Sequence, residues 1–190
     1  MRVISGRFKG CRLVAPSGDV TRPTTDRVKE SMFSLMGIDW QGGVAVDLFA
    51  GSGALGIEAL SRGASHAIFV DHNAKSEQAI RENLGRCFGG SDGTEEYEIW
   101  RLDWQTALSR MEAQHLSISW FFVDPPYKQN LWIKVLQQVG TSALCPNFGV
   151  VCEHPKGTTL PDDVGDLCVW KSKAYGDISV TLYRRRGDND

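Results

Sequence analysis

The sequence predicts an α/β fold, a mostly parallel sheet wrapped by helices, with a small β-hairpin extension at the N-terminus. Three observations predict it. Short apolar runs alternate with segments of helical periodicity from residue 44 to residue 154, the pattern of a parallel sheet with helical crossovers. A Gly-x-Gly-x-x-Gly turn (Gly51, Gly53, Gly56) joins one such run to one such segment. The last stretch, DLCVWKSKAYGDISVTLYRRR, reads as two strands turned at Gly176-Asp177, which closes the sheet on an antiparallel edge.

Each element follows from local pattern. Apolar residues 2–5 and 11–15 flank Gly6 and Gly10, as in a hairpin. DRVKESMFSLM (26–36) puts Val28, Met32, Leu35 and Met36 on one helical face, with Gly37 as its stop. VAVDLF (44–49), HAIFVD (66–71), YEIWRL (97–102), ISWFFVD (118–124) and GVVCEH (149–154) are short runs suited to buried strands. Between them, 54–63, 74–87, 104–112 and 131–139 carry helical patterns, and GGSDGT (89–94) is a loop.

The composition is 42% hydrophobic and 23% charged, an ordinary soluble profile. No apolar run approaches the roughly 20 residues that span a bilayer. The start, MRVISGRFKGCRL, lacks the apolar core of a signal peptide. The expectation is a single cytoplasmic domain with no membrane partner. Five cysteines, odd in number, widely spaced and without Cys-x-x-Cys, argue for reduced thiols and against a disulfide framework or a metal site. The net charge of −2 is unevenly spread: residues 1–30 hold seven Lys/Arg against three acids, and the rest 14 against 20. A basic arm on an acidic body suits a polyanionic partner. Arg2, Arg7, Lys9 and Arg12 are its candidate phosphate contacts, with a merely solvated surface as the alternative.

The glycine turn alone suggests a dinucleotide site. The neighbouring acids argue otherwise. Asp47 ends the strand four residues before Gly51, where a phosphate would meet an unneutralised carboxylate. Asp71, Asp103 and Asp124 end or follow the next three strands. Four strand-end carboxylates on one sheet edge suit a ligand with a positive centre, a ribose diol and an exocyclic amine but no phosphate. S-adenosylmethionine has these features. The plainer reading is that such aspartates only cap the following helices.

Asp124-Pro125-Pro126-Tyr127 completes the pattern. Paired prolines stiffen the backbone and remove donors, leaving carbonyls free to face a ligand. An exocyclic amine on a nucleobase is a poor nucleophile because its lone pair is delocalised into the ring. The Asp124 carboxylate and the Pro125 carbonyl can accept its N–H groups and favour a pyramidal nitrogen. Tyr127 can stack on the base.

On these residues the chain resembles class I S-adenosylmethionine-dependent methyltransferases acting on exocyclic amines: DLFAGSGALGIEAL, Asp71, Asp103 and DPPY carry the likeness. RVISGRFKGCRLVAP and TRPTTDRVKESMFSLM resemble the start of the bacterial 16S ribosomal RNA guanine-N2 methyltransferase family, over nearly the whole chain. The resemblance implies a doubly wound, seven-stranded sheet with one antiparallel strand, and a basic extension (1–24) ahead of a methyltransferase domain (25–190). It implies S-adenosylmethionine as cofactor and a single guanine of 16S rRNA, a 966-type site, in an assembled or nearly assembled 30S subunit as substrate. By motif, Asp47, Phe49, Gly51 and Gly53 would hold the methionine part, Asp71 the ribose and Asp103 the adenine, with Trp104 available to stack on it. Arg22, Pro23 and Thr24 would close over the cofactor, and Asp124 through Tyr127 would receive the guanine. Glu153 and His154 receive no role.

Three other functions compete. A DNA adenine-N6 methyltransferase shares DPPY but usually needs a sizeable recognition domain. Only 63 residues follow Tyr127, and they are needed to finish the sheet. An NAD-dependent oxidoreductase is disfavoured by Asp47, and a catalytically silent RNA-binding module by the intact DPPY.

Overall fold

A computed structural model describes residues 1–17, 26–37, 40–89 and 94–187. Among the described residues, five α-helices and eight strands follow one another as α1 (Asp26–Met36), β1 (Val44–Asp47), α2 (Ala54–Ser61), β2 (His66–Val70), α3 (Ala74–Phe88), β3 (Tyr97–Trp100), α4 (Trp104–Ala113), β4 (Trp120–Val123), α5 (Trp132–Gly140), β5 (Gly149–Pro155), β6 (Asp163–Val164), β7 (Leu167–Tyr175) and β8 (Ile178–Arg185). They build one mixed sheet of order β3-β2-β1-β4-β5-β8-β7-β6. β1 to β5 run parallel, while β8 lies antiparallel to both β5 and β7. The strand count is eight because the two residues of β6 pair with the start of β7. So short a strand leaves no periodicity to read.

β1, β2, β4 and β5 are buried on both faces, which is why they read as continuous apolar runs. On one face, Val46, Ile68, Phe121, Val123, Val150 and Tyr183 pack under α4 and α5 through Ala107, Leu108, Met111, Val135 and Leu136. On the other, Ala45, Phe122, Val151, Val180 and Leu182 meet Val28, Met32, Phe33 and Met36 of α1 and Leu55 and Ala59 of α2. Ala67 and Phe69 meet Ile57 and Leu60 of α2 and Ile80 and Leu84 of α3. The third glycine of the turn serves this packing: a Cβ on Gly56 would lie 2.4 Å from the Phe69 ring.

The expected N-terminal hairpin is reduced to one antiparallel bridge, Arg2 to Arg12, with Val3 N donating to Cys11 O at 2.9 Å. The reason is competition for donors. Ile4 N and Ser5 N donate to the Glu58 carboxylate at 2.8 and 3.1 Å, Arg7 N to Ser61 O at 2.8 Å and Phe8 N to Ser61 Oγ at 2.9 Å. The arm divides its backbone donors between α2 and its own pairing, where Leu13 N also donates to Met1 O at 3.0 Å and Gly10 N to Val3 O at 2.9 Å. Gly6, at φ 83°, permits this approach, since a Cβ there would collide with Ser61 O. Glu58 is fully buried and is neutralised by Lys29 at 3.1 Å and Arg62 at 2.8 Å. Val3 and Leu13 sit in the same core as Ile57 and Phe69.

Candidate active site

The carboxyl ends of β1, β2 and β4 bring the predicted acids to one edge. β1 pairs with β2 on one side and with β4 on the other, with Asp47 level with Phe69 and Phe122. Asp47 is buried, and its Oδ2 accepts the Gly56 N–H at 3.0 Å. Burial pushes its carboxyl up to about 7, with the nearby Asp71 charge adding to the rise and the Gly56 bond opposing it. Half-buried Asp71 accepts from Gly51 N and from Asn73 N, both at 2.9 Å. Both carboxylates therefore shape the glycine loop, in which Gly51 and Gly53 take left-handed φ values of 52° and 76°. Phe49 is half-buried against the α4–α5 core.

Asp103 stands at the head of α4, exposed, and accepts from Thr106 N at 2.9 Å and Thr106 Oγ1 at 2.6 Å. The Thr106 hydroxyl, then its N–H, holds the Asp103 carboxyl below the usual range. The capping alternative is thus realised at Asp103. Trp104 is half-buried against the same core as Phe49. Arg22, Pro23 and Thr24 lie outside the described residues.

Asp124 is half-buried just past β4, Pro125 is buried, Pro126 is exposed, and Tyr127 opens a single 3₁₀ turn over Tyr127–Gln129. Two features here escape sequence reasoning. The Tyr127 hydroxyl donates to Glu153 Oε1 at 3.3 Å, and the Tyr127 ring leans on Trp132 at 5.9 Å between centroids. Trp132 Nε1 in turn donates to the Glu153 carbonyl at 2.7 Å. Glu153 is only 2% exposed. Its signal in the sequence is an acid near the end of an apolar strand, the same signal as Asp47 and Asp124. His154 turns to the sheet instead: its Nε2 lies 2.9 Å from Thr181 Oγ1, and burial lowers its pKa.

The arm cations lie on the surface. Arg2 pairs with Asp26 at 3.1 Å, and Arg7 pairs with Glu96 and lies 4.4 Å over the Phe8 ring. Lys9 and Arg12 are exposed. Two of the four candidate phosphate contacts are thus engaged within the chain.

The residues at the glycine loop fit S-adenosylmethionine. The loop faces carboxylates where a phosphate ligand would want cations. Asp71, braced by two N–H donors, has oxygen lone pairs left for a diol. The strands that lead to the glycine loop and to Asp124 are neighbours: Leu48 N, next to Asp47, donates to Phe122 O at 3.1 Å. No described helix is long and apolar enough to cross a membrane.

Comparison with known proteins places the chain in a family. The chain is 42% identical over 188 residues to "Putative rRNA methyltransferase YlbH" of Bacillus subtilis, covering 98% of this chain and all of that one. It is 31% identical over 195 residues to ribosomal RNA small subunit methyltransferase D of Escherichia coli, covering all of this chain and 93% of that one. A solved hypothetical protein from Thermus thermophilus superposes with a TM-score of 0.79 at 26% identity, over 96% of this chain and 98% of that one. At 17% identity, an RNA methyltransferase from Salinibacter ruber solved with S-adenosyl-L-homocysteine shares the fold, with a TM-score of 0.60 over 89% of this chain and 97% of that one. The model of the family described as Conserved hypothetical protein 95 matches residues 1–184, and the chain belongs to that family, the one that includes ribosomal RNA small subunit methyltransferase D.

Proposed function

We propose that this protein transfers a methyl group from S-adenosylmethionine to the exocyclic N2 of one guanine in 16S rRNA, a 966-type site, within the small ribosomal subunit. The observation that carries the reading is the position of Asp124-Pro125-Pro126-Tyr127 at the end of β4, directly beside the β1 end and its carboxylate-lined glycine loop. The names of the relatives support rRNA as the substrate class.

S-adenosylmethionine, when bound, supplies an electrophilic methyl. The chain's own residues do the rest. Asp71 accepts from the ribose diol, while Gly51 and Gly53 keep the loop free of side chains close to the ligand. Asp47 sets the loop through Gly56 and offers a carboxylate to a cationic ligand. Phe49 packs beside the methionine part. Asp103 and Trp104 flank the adenine, and Arg22, Pro23 and Thr24 close over the cofactor. At the acceptor side, the Asp124 carboxylate and the Pro125 carbonyl take the N–H bonds of the guanine amine, with stiff Pro126 behind them and Tyr127 against the base face. The amine becomes strongly acidic only after the N–C bond has formed. Asp124 therefore acts by hydrogen bonding and electrostatics, with proton loss late. Arg2, Arg7, Lys9 and Arg12 hold RNA phosphates.

The test is methyl transfer from labelled S-adenosylmethionine to 30S subunits, naked 16S rRNA and duplex DNA, with the modified nucleotide mapped. Label at N2 of one 16S guanine is expected. Label on DNA adenine, or on no nucleic acid, overturns the proposal.

A further inference from the structure

We infer that the sheet face formed by β7 and the end of β8 is a second RNA-contacting surface, which holds the backbone of the strand flanking the target guanine. This inference rests on the rRNA reading above. Residues 167–187 hold five cations (Lys171, Lys173, Arg184, Arg185, Arg186) against the single acid Asp177, in a chain whose net charge is −2. Arg186 is paired with Asp163 at 2.8 Å. Among the described residues, no carboxylate lies within ion-pair distance of Lys171 or Lys173.

The register places Lys171, Lys173 and Arg184 on one face, and Arg185, level with Leu167, on the other. Lys171 is level with Leu182 and Lys173 with Val180, both of which point to the α1 side of the sheet. A bulge between Val169 and Lys171 inserts Trp170 as an extra residue, so that Trp170 and Lys171, though consecutive, share that face. Lys171 Nζ lies 3.8 Å from the Trp170 ring, Arg184 Cζ 6.0 Å from the same ring, and Lys173 Nζ 5.5 Å from the Tyr175 ring. Lys171 Nζ also donates to Leu35 O at 3.0 Å. The rings hold long side chains that would otherwise lose rotamer freedom on meeting a phosphate. The result is a row of preset positive groups.

The row leads to the candidate site. Val180 is level with Lys173 on one side and with Glu153 on the other. Glu153 lies on the α1 side, two residues beyond Val151, and bonds to Tyr127. Lys173 thus stands two strand spacings, roughly 10 Å, from the acid that touches the base-stacking tyrosine. A base held at Tyr127 brings its neighbouring phosphates to this face. Charge complementarity and continuity with the site both favour RNA. The plain alternative is that these lysines only protect a sheet edge from pairing with other chains.

The test compares wild type with Lys171→Gln/Lys173→Gln, measuring KM and kcat on 30S subunits at several salt concentrations. We expect KM to rise several-fold and the slope of log KM against log salt to fall by roughly 1.4 to 1.8, at 0.7 to 0.9 per phosphate contact. S-adenosylmethionine affinity and kcat should not move. Lys171→Arg/Lys173→Arg should restore the slope, and Lys134→Gln, on α5 over the opposite face, should leave it unchanged. Because Lys171 also bonds Leu35, Lys173→Gln alone is included and should show half the change. Equal slopes for wild type and double variant, or a variant that only self-associates, overturn the surface while wild-type turnover upholds the function. No transfer by wild type to any form of 16S rRNA overturns both.

Discussion

The Tyr127 hydroxyl donates to Glu153 Oε1 at 3.3 Å, joining the turn after β4 to the buried end of β5. The Glu153 carbonyl fixes Trp132, on which the Tyr127 ring leans. One residue therefore sets both the hydroxyl and the packing partner of the Tyr127 ring.

This bond changes what is expected of Tyr127. Stacking needs only the π-face, worth about 1–3 kcal/mol per base, so Tyr127→Ala should cost most of the activity. Tyr127→Phe keeps the face but loses its tether. A side-chain hydrogen bond contributes about 0.5–1.5 kcal/mol. At 3.3 Å, on a ring 42% exposed, about 1 kcal/mol is expected, or roughly fivefold in kcat/KM. Glu153→Ala should match Tyr127→Phe, and Glu153→Gln should restore most of the loss. Steady-state kinetics on 30S subunits decides this. A Phe variant as inactive as Ala would give the hydroxyl a role beyond positioning.

Asp124→Ala should lower methyl transfer by a factor on the order of 10², the usual cost of a lost transition-state hydrogen-bond partner. Cofactor binding should be nearly unchanged, since Asp124 follows β4 and the glycine loop follows β1. Calorimetry with S-adenosylmethionine beside single-turnover kinetics separates the two effects. Near wild-type turnover would remove Asp124 from the reaction.

Asp71→Ala should weaken S-adenosylmethionine binding by about 1.5–3 kcal/mol. Asp71 also accepts from Gly51 N and Asn73 N, so the variant should be less stable as well. Asp71→Asn keeps one acceptor oxygen and should bind with intermediate affinity. An unchanged dissociation constant in both variants would rule out the ribose role.

Asp47 gives the ligand-free protein a pH signature. Its folded-state pKa is about 7 against 3.8 for the free side chain. Between these values the folded state holds a proton that the unfolded chain has released. Stability therefore falls as pH rises from about 4 to 7 and is flat above that, by about 4 kcal/mol at most. Asp47→Asn keeps an oxygen for Gly56 N and removes the penalty. Relative to wild type it should gain more at pH 8 than at pH 5 in denaturant unfolding. His154, whose lowered pKa acts in the opposite direction, is common to both proteins and cancels. An equal gain at the two pH values would mean that Asp47 is ionised throughout.

Most of the fold was legible in the sequence because its signals are local. The apolar runs of β1 to β5, the helical faces of α1 to α5 and the Gly176-Asp177 turn each span a few residues and match the structure within two or three positions. The positions of the strand-end acids were legible for the same reason, although Asp103 turned out to cap α4. β6 was not: its two residues form a strand only because β7 lies beside them.

What the sequence by itself determined is the chemistry at the sheet edge: a glycine loop among carboxylates, and DPPY one strand away. What only the tertiary structure decided is which side chains are already spoken for. The arm looked like a free basic hairpin, yet the N–H groups of Ile4, Ser5, Arg7 and Phe8 are taken by Glu58 and Ser61, some 50 residues away in sequence. Glu153 and Lys173 gained meaning only when the register of β5, β8 and β7 set them in one row. Hydrogen bonds and ion pairs act over a few ångströms in space whatever the distance along the chain. A pairing between distant residues therefore leaves no local periodicity, and the packed sheet alone reveals it.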